Sequence, residues 1–194
     1  MTRVEIIVVG ASLGGLRAVG ALLAGLPEAF RVPLVVVQHR QAESEERLVG
    51  LLQQHTGLGV REAEDKEQIA GGNVYLAPTD YHLLIEPGRF ALSTEAPVLH
   101  ARPSIDVLFE SAADSYADRV LGVVLTGASA DGARGAASIN RAGGLVIVQA
   151  PETAQSRAMP EAALREVPGA RVLRLDAIAA YIARLGARAE KGGQ

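Results

Sequence analysis

The feature that most constrains this chain is an alternation of short β-branched apolar runs with longer stretches whose apolar residues recur at helical spacing. Residues 4–9 form a run that is apolar except for Glu5 and enters a glycine turn at 10–15, after which Leu16, Val19, Leu22, Leu23 and Leu26 recur at helical spacing. Residues 34–37 repeat the strand signal ahead of a helix through Leu48, Leu51 and Leu52, and 60–63 give a short third run. Strand-like runs return at 121–125, 145–148 and 172–175, with helices predicted over 132–142, 160–166 and 177–185. Strands buried on both faces read as continuous apolar runs, so the pattern predicts an α/β fold: a doubly wound, mostly parallel sheet with helices on both faces.

The middle of the chain reads differently. Runs at 73–77, 81–86 and 90–93 are broken by Pro78-Thr79-Asp80 and Pro87-Gly88, which predicts an antiparallel hairpin. Pro103 then ends the extended segment. Ser104 and Asp106 look like helix-start residues, one as a cap and one at the positive end, with Ile105, Leu108, Phe109, Ala112 and Tyr116 facing inward. A single domain is expected over 1–188, with a frayed, disordered tail over 189–194.

Composition narrows the chemistry. At 194 residues, 48% hydrophobic and 21% charged, the chain is long enough for one full core. With aromatics at only 4%, that core must come from aliphatic side chains. There is no cysteine, which excludes disulfides, thiolate catalysis and cysteine-ligated metals. A net charge of -3 argues against a nucleic-acid partner. No stretch approaches the ~20 apolar residues of a membrane span, and no cleavable leader is expected. Four scattered histidines lack ligand spacing, so neither a metal nor another cofactor is expected.

Three polar residues follow three apolar runs: Ser12 after the first, His39 after the second and Asp131 after the run at 121–125. In a sheet of this class, sites lie beyond the carboxyl ends of the strands. A serine hydroxyl needs an imidazole to take its proton, and the imidazole needs a carboxylate to fix its tautomer. Gly10-Ala11-Ser12-Leu13-Gly14 also fits the G-x-S-x-G elbow, which would aim the amides of Leu13 and Gly14 at a developing oxyanion. The order Ser, His, Asp is not that of the α/β-hydrolases. Each residue has a plainer reading. GASLGG could be a phosphate-cradling turn of a nucleotide-binding protein, although Ser12 replaces a fingerprint glycine and the second run ends in Gln38-His39-Arg40 rather than an acid. His39 alone could be structural, and Asp131 alone a turn residue or cap.

The blocks VVGASLGGL, VVVQH, AGGNVYLAPTDYHLLIE, RPSIDVLFESAA, GVVLTGASADGARG, AGGLVIVQ and MPEAAL, in this order, resemble the catalytic domain of the CheB-type protein-glutamate methylesterases. The resemblance runs from the first block to the helix at Ile178. It implies a doubly wound domain with Ser12 as nucleophile, His39 as base and Asp131 as acid, and with the Ala128 amide joining the oxyanion hole. It also implies hydrolysis of glutamyl methyl esters on methyl-accepting chemotaxis receptors, with deamidation of receptor glutamines in many members, in the cytoplasm. Three positions depart from the family pattern: Leu13 replaces threonine, Ala128-Ser129 replaces Met-Gly, and Arg40-Gln41 stands where proline is common. Many members carry an N-terminal receiver domain. The catalytic blocks here begin at once, so release by phosphorylation in cis is not expected; constitutive activity, control by a separate protein such as a response regulator, and a place in an alternative chemosensory pathway all stay open. A receptor-binding module without turnover, and an esterase for another protein, are the alternatives.

Other residues have lesser expected roles. His82 is read as structural, and His55 and His100 as surface residues. Arg40, Arg134 and Arg157 could steer an acidic receptor helix. Met159 and Pro160 are expected to shape the rim of the site.

Overall fold

The computed structural model describes residues 3–39 and 45–191. Among these residues nine strands and six α-helices follow in chain order: β1 (Ile6–Ala11), α1 (Gly15–Ala24), β2 (Leu34–Gln38), α2 (Glu45–Gln53), β3 (Gly59–Glu62), β4 (Asn73–Leu76), β5 (His82–Glu86), β6 (Arg89–Ser93), α3 (Ile105–Tyr116), β7 (Val120–Val124), α4 (Ala133–Arg141), β8 (Leu145–Gln149), α5 (Ala158–Glu166), β9 (Arg171–Leu173) and α6 (Leu175–Lys191). Seven strands form one parallel sheet in the order β3-β4-β2-β1-β7-β8-β9. This is the doubly wound sheet expected from the alternation.

Period-two alternation along β1 divides the core. Ile7 and Val9 pack with Leu22, Leu23, Ile178 and Ile182 beneath α1 and α6, and Leu48 and Leu52 of α2 join them. Ile6 and Val8 face the other way, onto Ile105, Leu108 and Phe109 of α3, with Ile139 of α4 and Met159 of α5. Both faces of the sheet are therefore dry, which is why its central strands carry no polar alternation.

The antiparallel hairpin is β5–β6, which packs Leu83, Ile85 and Phe90 against the α3 side of the sheet. The run at 73–77 is not part of it. As β4 it lies between β3 and β2 in the parallel sheet, with Val74, Tyr75 and Leu76 buried. Tyr75 meets Phe90 edge-on, with ring centroids 4.8 Å apart, so the hairpin covers the strand it was expected to pair with. Residues 174–175 also differ: Leu175 opens α6 rather than closing β9. Helix α6 reaches Lys191; of the tail expected over 189–194, residues 192–194 lie outside the described residues.

Register sets up the site. Gly10 is opposite Val37 of β2 and Val124 of β7, and Ala11 is opposite Gln38. The residues that follow these three central strands emerge together, where the order of strands reverses on either side of β1.

Candidate active site

Ser12 occupies the turn between β1 and α1. Its N–H donates to Thr126 O at 3.0 Å, and its carbonyl accepts from Gly15 N–H at 2.8 Å. Gly14 closes the turn at φ 80°, a conformation that favours glycine. The side chain of Gln38, at the end of β2, donates to Ser12 O at 2.9 Å and to His39 O at 2.8 Å, fastening the two strand ends together. Thr126 Oγ donates to Leu13 O at 2.8 Å and accepts from Ser156 N–H at 2.9 Å.

His39 follows β2, and its backbone N–H extends the ladder to Ala11 O at 2.9 Å. Its Nε2 lies 2.8 Å from Asp131 Oδ2, with the imidazole 17% exposed and the carboxylate fully buried. A carboxylate only accepts, so Nε2 carries the proton and Nδ1 is the nitrogen left to receive one. Asp131 lies between β7 and α4. Its Oδ1 also accepts from Ser104 Oγ at 2.8 Å and Asp106 N–H at 2.9 Å, while Oδ2 accepts from Ile105 N–H at 2.7 Å. Burial pushes this carboxyl up, but the bonds from His39, the Asp106 and Ile105 amides and Ser104 outweigh it and hold the group below its ordinary range. Asp131 is therefore an ionised acceptor at neutral pH.

Glycines bring these parts within reach. A Cβ on Gly10 would sit 2.4 Å from Ile105 Cγ2, and one on Gly132 would sit 2.7 Å from the same atom. Without side chains there, the start of α3 presses against the end of β1 and the start of α4, and its amides meet Asp131.

Ser12 and His39 line one cleft of about 880 Å³ with Leu13, Gly14, Arg17, Gln38 and His55 among its walls. The loop after β7 closes against it, since a Cβ on Gly127 would lie 2.9 Å from Ser12 Cβ. The structure thus brings Ser12 and His39 to one cleft and His39 to Asp131. It does not place the Ser12 hydroxyl in a hydrogen bond with His39. The N–H groups of Leu13, Gly14 and Ala128 have no hydrogen-bond partner among the described residues.

The remaining expectations divide. His82 is buried; its Nε2–H donates to Ala96 O at 3.1 Å and its Nδ1 accepts from Ser104 N–H at 3.2 Å. His100 is exposed, whereas His55, also exposed, walls the cleft beside Gly20. Arg134 lies 3.3 Å from Asp106 and 3.7 Å from Glu110, and Arg157 lies 3.3 Å from Glu161, so neither is an unpaired steering charge. Arg40 and Gln41 lie outside the described residues. Met159 is fully buried beneath the loop at Gly127, and Pro160 is buried beside it.

Ser104 and Asp106 do start α3, as expected, but the Ser104 side chain does not cap its own helix. Ser104 occupies the N-cap position of α3 without a side-chain bond to its own helix, because its hydroxyl goes to Asp131. Asp106 is fully buried and accepts from the amides that start α4. The available signal was spacing: Asp106 precedes Phe109 by one helical turn and so shares the buried face. Gln38 and Thr126 carried no comparable signal. Among the described residues no group of three His, Cys, Asp or Glu is placed to hold a metal ion, and no helix is long and apolar enough to cross a membrane.

Comparison with known proteins agrees with this architecture. The CheB methylesterase family profile matches residues 7–182. A protein of Leptospira interrogans (serovar copenhageni, strain Fiocruz L1-130), provisionally named a protein-glutamate methylesterase/protein-glutamine glutaminase, is 44% identical over 182 residues, covering 93% of this chain and 94% of that one. The protein-glutamate methylesterase FrzG of Myxococcus xanthus is 39% identical over 178 residues, covering 91% of this chain but 53% of its own. The crystal structure of the Thermotoga maritima CheB methylesterase catalytic domain superposes with a TM-score of 0.89 at 34% identity, covering 94% of this chain and 98% of that one. The chain therefore belongs to the CheB methylesterase family.

Proposed function

We propose that this protein hydrolyses methyl esters of glutamate side chains on chemotaxis receptors, with Ser12 as nucleophile, His39 as general base and Asp131 as the acid that orients His39. The observation that carries the reading is the 2.8 Å contact of His39 Nε2 with a buried, ionised Asp131, at the wall of the cleft that also holds Ser12.

The chemistry follows from the atoms. The Ser12 oxygen attacks the ester carbonyl as its proton passes to His39 Nδ1, forming a tetrahedral oxyanion. The amides of Leu13, Gly14 and Ala128, without a partner among the described residues, are the donors for that charge, and Leu13 and Gly14 lie at the positive start of α1. The proton on Nδ1 then goes to the departing methoxide, and methanol leaves a glutamyl ester on Ser12. Water attacks this ester with His39 again taking a proton, releasing the glutamate carboxylate and restoring the serine. A glutamine side chain offers the same carbonyl and would release ammonia, consistent with the glutaminase half of the names of several relatives.

Methanol release from methylated receptor tests the reading. Wild type releases methanol with turnover, and Ser12→Ala falls to background, a loss of about 10⁴-fold or more. Equal release by both proteins would leave a non-catalytic receptor-binding module as the account.

A further inference from the structure

Asp131 and Asp106 are joined by an exchange of helix caps. The first amides of an α-helix have no partner within the helix and are usually satisfied by a side chain just before it. Helix α3 is capped instead from across the chain: its Ile105 and Asp106 amides donate to Asp131 at 2.7 and 2.9 Å, and Ser104 Oγ adds a third bond at 2.8 Å. Helix α4 is capped in return by Asp106, whose Oδ1 accepts from Gly132 N–H at 2.9 Å and Gly135 N–H at 2.8 Å. Both carboxylates are fully buried, and neither Asp106 nor Ser104 borders the cleft.

We propose that Asp106 and Ser104 are positioning residues for the esterase reaction, fixing the Asp131 carboxylate against His39 through this exchange between α3 and α4. The inference rests on the reading of Asp131 as the acid of that reaction. Asp106 holds the amide of Gly132, the residue next to Asp131, so losing its oxygen frees the turn that carries the acid. Ser104 is itself held, through its N–H, by His82 and thence by the loop at Ala96. A Cβ on Gly135 would sit 2.5 Å from Phe109 Cβ, so the two helix starts are packed too closely for either to move alone. Asp106 Oδ2 makes no hydrogen bond, and Arg134 Nε lies 3.3 Å away without hydrogen-bond alignment. The required group is thus Oδ1 as an acceptor, which asparagine preserves.

Four proteins decide the matter: wild type, Asp106→Ala, Asp106→Asn and Ser104→Ala. For each, kcat and KM are measured on methylated receptor, with thermal unfolding and the proton NMR signal of His39 Nε2–H. Asp106→Ala should lower kcat about ten- to a hundredfold with KM within about twofold, and should move or broaden the imidazole signal. Asp106→Asn should recover kcat to within about threefold of wild type and restore the signal. Ser104→Ala should lower kcat about three- to tenfold while remaining folded, and so decides the question if Asp106→Ala does not fold. Wild-type kcat and an unmoved signal in the folded alanine variants would overturn the proposal, as would an Asp106→Asn variant as impaired as Asp106→Ala. If wild type itself releases no methanol, the esterase reading fails, and the imidazole signal alone still tests the positioning.

Discussion

At one end of the candidate site Asp131 is fully buried and accepts four hydrogen bonds, three of them from the start of α3. At the other end Ser12 opens onto a cleft beside Leu13 and Leu16, which are 53% and 41% exposed. The acid end is fixed by backbone amides and a helix dipole before any substrate arrives. The Ser12 end leaves its serine hydroxyl and three amides without a partner among the described residues. On the proposed reading this is a division of labour: the charge that orients His39 is locked by the fold, and the groups that would meet a changing substrate are left without partners among the described residues. Such preorganisation lowers the reorganisation needed in the transition state.

The largest effect should come from breaking the locked end. Asp131→Asn keeps the shape but loses the charge and the choice of tautomer at His39; kcat for methanol release should fall by about 10⁴-fold. A loss under about tenfold would mean that the buried carboxylate serves the fold and not the chemistry. Thr126→Val comes next, because it cuts the hydroxyl link from the loop after β7 to Leu13 O and Ser156 N–H. It should cost about ten- to a hundredfold in kcat and about 1–3 kcal/mol in urea-unfolding stability. An unchanged kcat would show that the nucleophile turn holds its shape without that link.

Acid titration sharpens the contrast within the locked end itself. Asp131 sits below the ordinary carboxyl range, so its contribution to stability is complete above about pH 4 and is lost as pH falls through its depressed folded value. Asp106 is raised, by burial first and by the neighbouring Asp131 charge, against the Gly135 and Gly132 amides and Arg134. Its cost is absent below about pH 4 and grows as pH rises through its folded value. Urea unfolding from pH 3 to 7 should therefore show Asp131→Asn losing ground to wild type as pH rises, and Asp106→Asn gaining it. The smallest effect is expected at the open end: Leu13→Thr should change kcat by no more than about threefold, since the side chain is exposed and the amide remains. A larger loss would give that side chain a part in seating the substrate.

The sequence was most legible where the signal is local. Ser12, His39 and Asp131 each follow an apolar run, and the strand-end rule needs only those runs to put them at one edge. Ser104, Asp106 and Thr126 were not legible as site residues, because their hydroxyl and carboxylate groups act on segments more than twenty residues away. A polar residue at a helix start has a sufficient local explanation, and that explanation hid the long-range one. The same limit misplaced the run at 73–77. Turn chemistry around Pro78 suggested a hairpin, but three consecutive buried residues, Val74, Tyr75 and Leu76, are the mark of a strand inside a parallel sheet.

The most direct test of the relay from Asp131 through His39 to Ser12 is intact mass after reaction with a serine-directed fluorophosphonate. The account predicts one covalent adduct in wild type, mapped to the peptide bearing Ser12, and its rate of formation should collapse in His39→Ala and in Asp131→Asn. An adduct on another residue, or equal labelling of Ser12 in all three proteins, would contradict it.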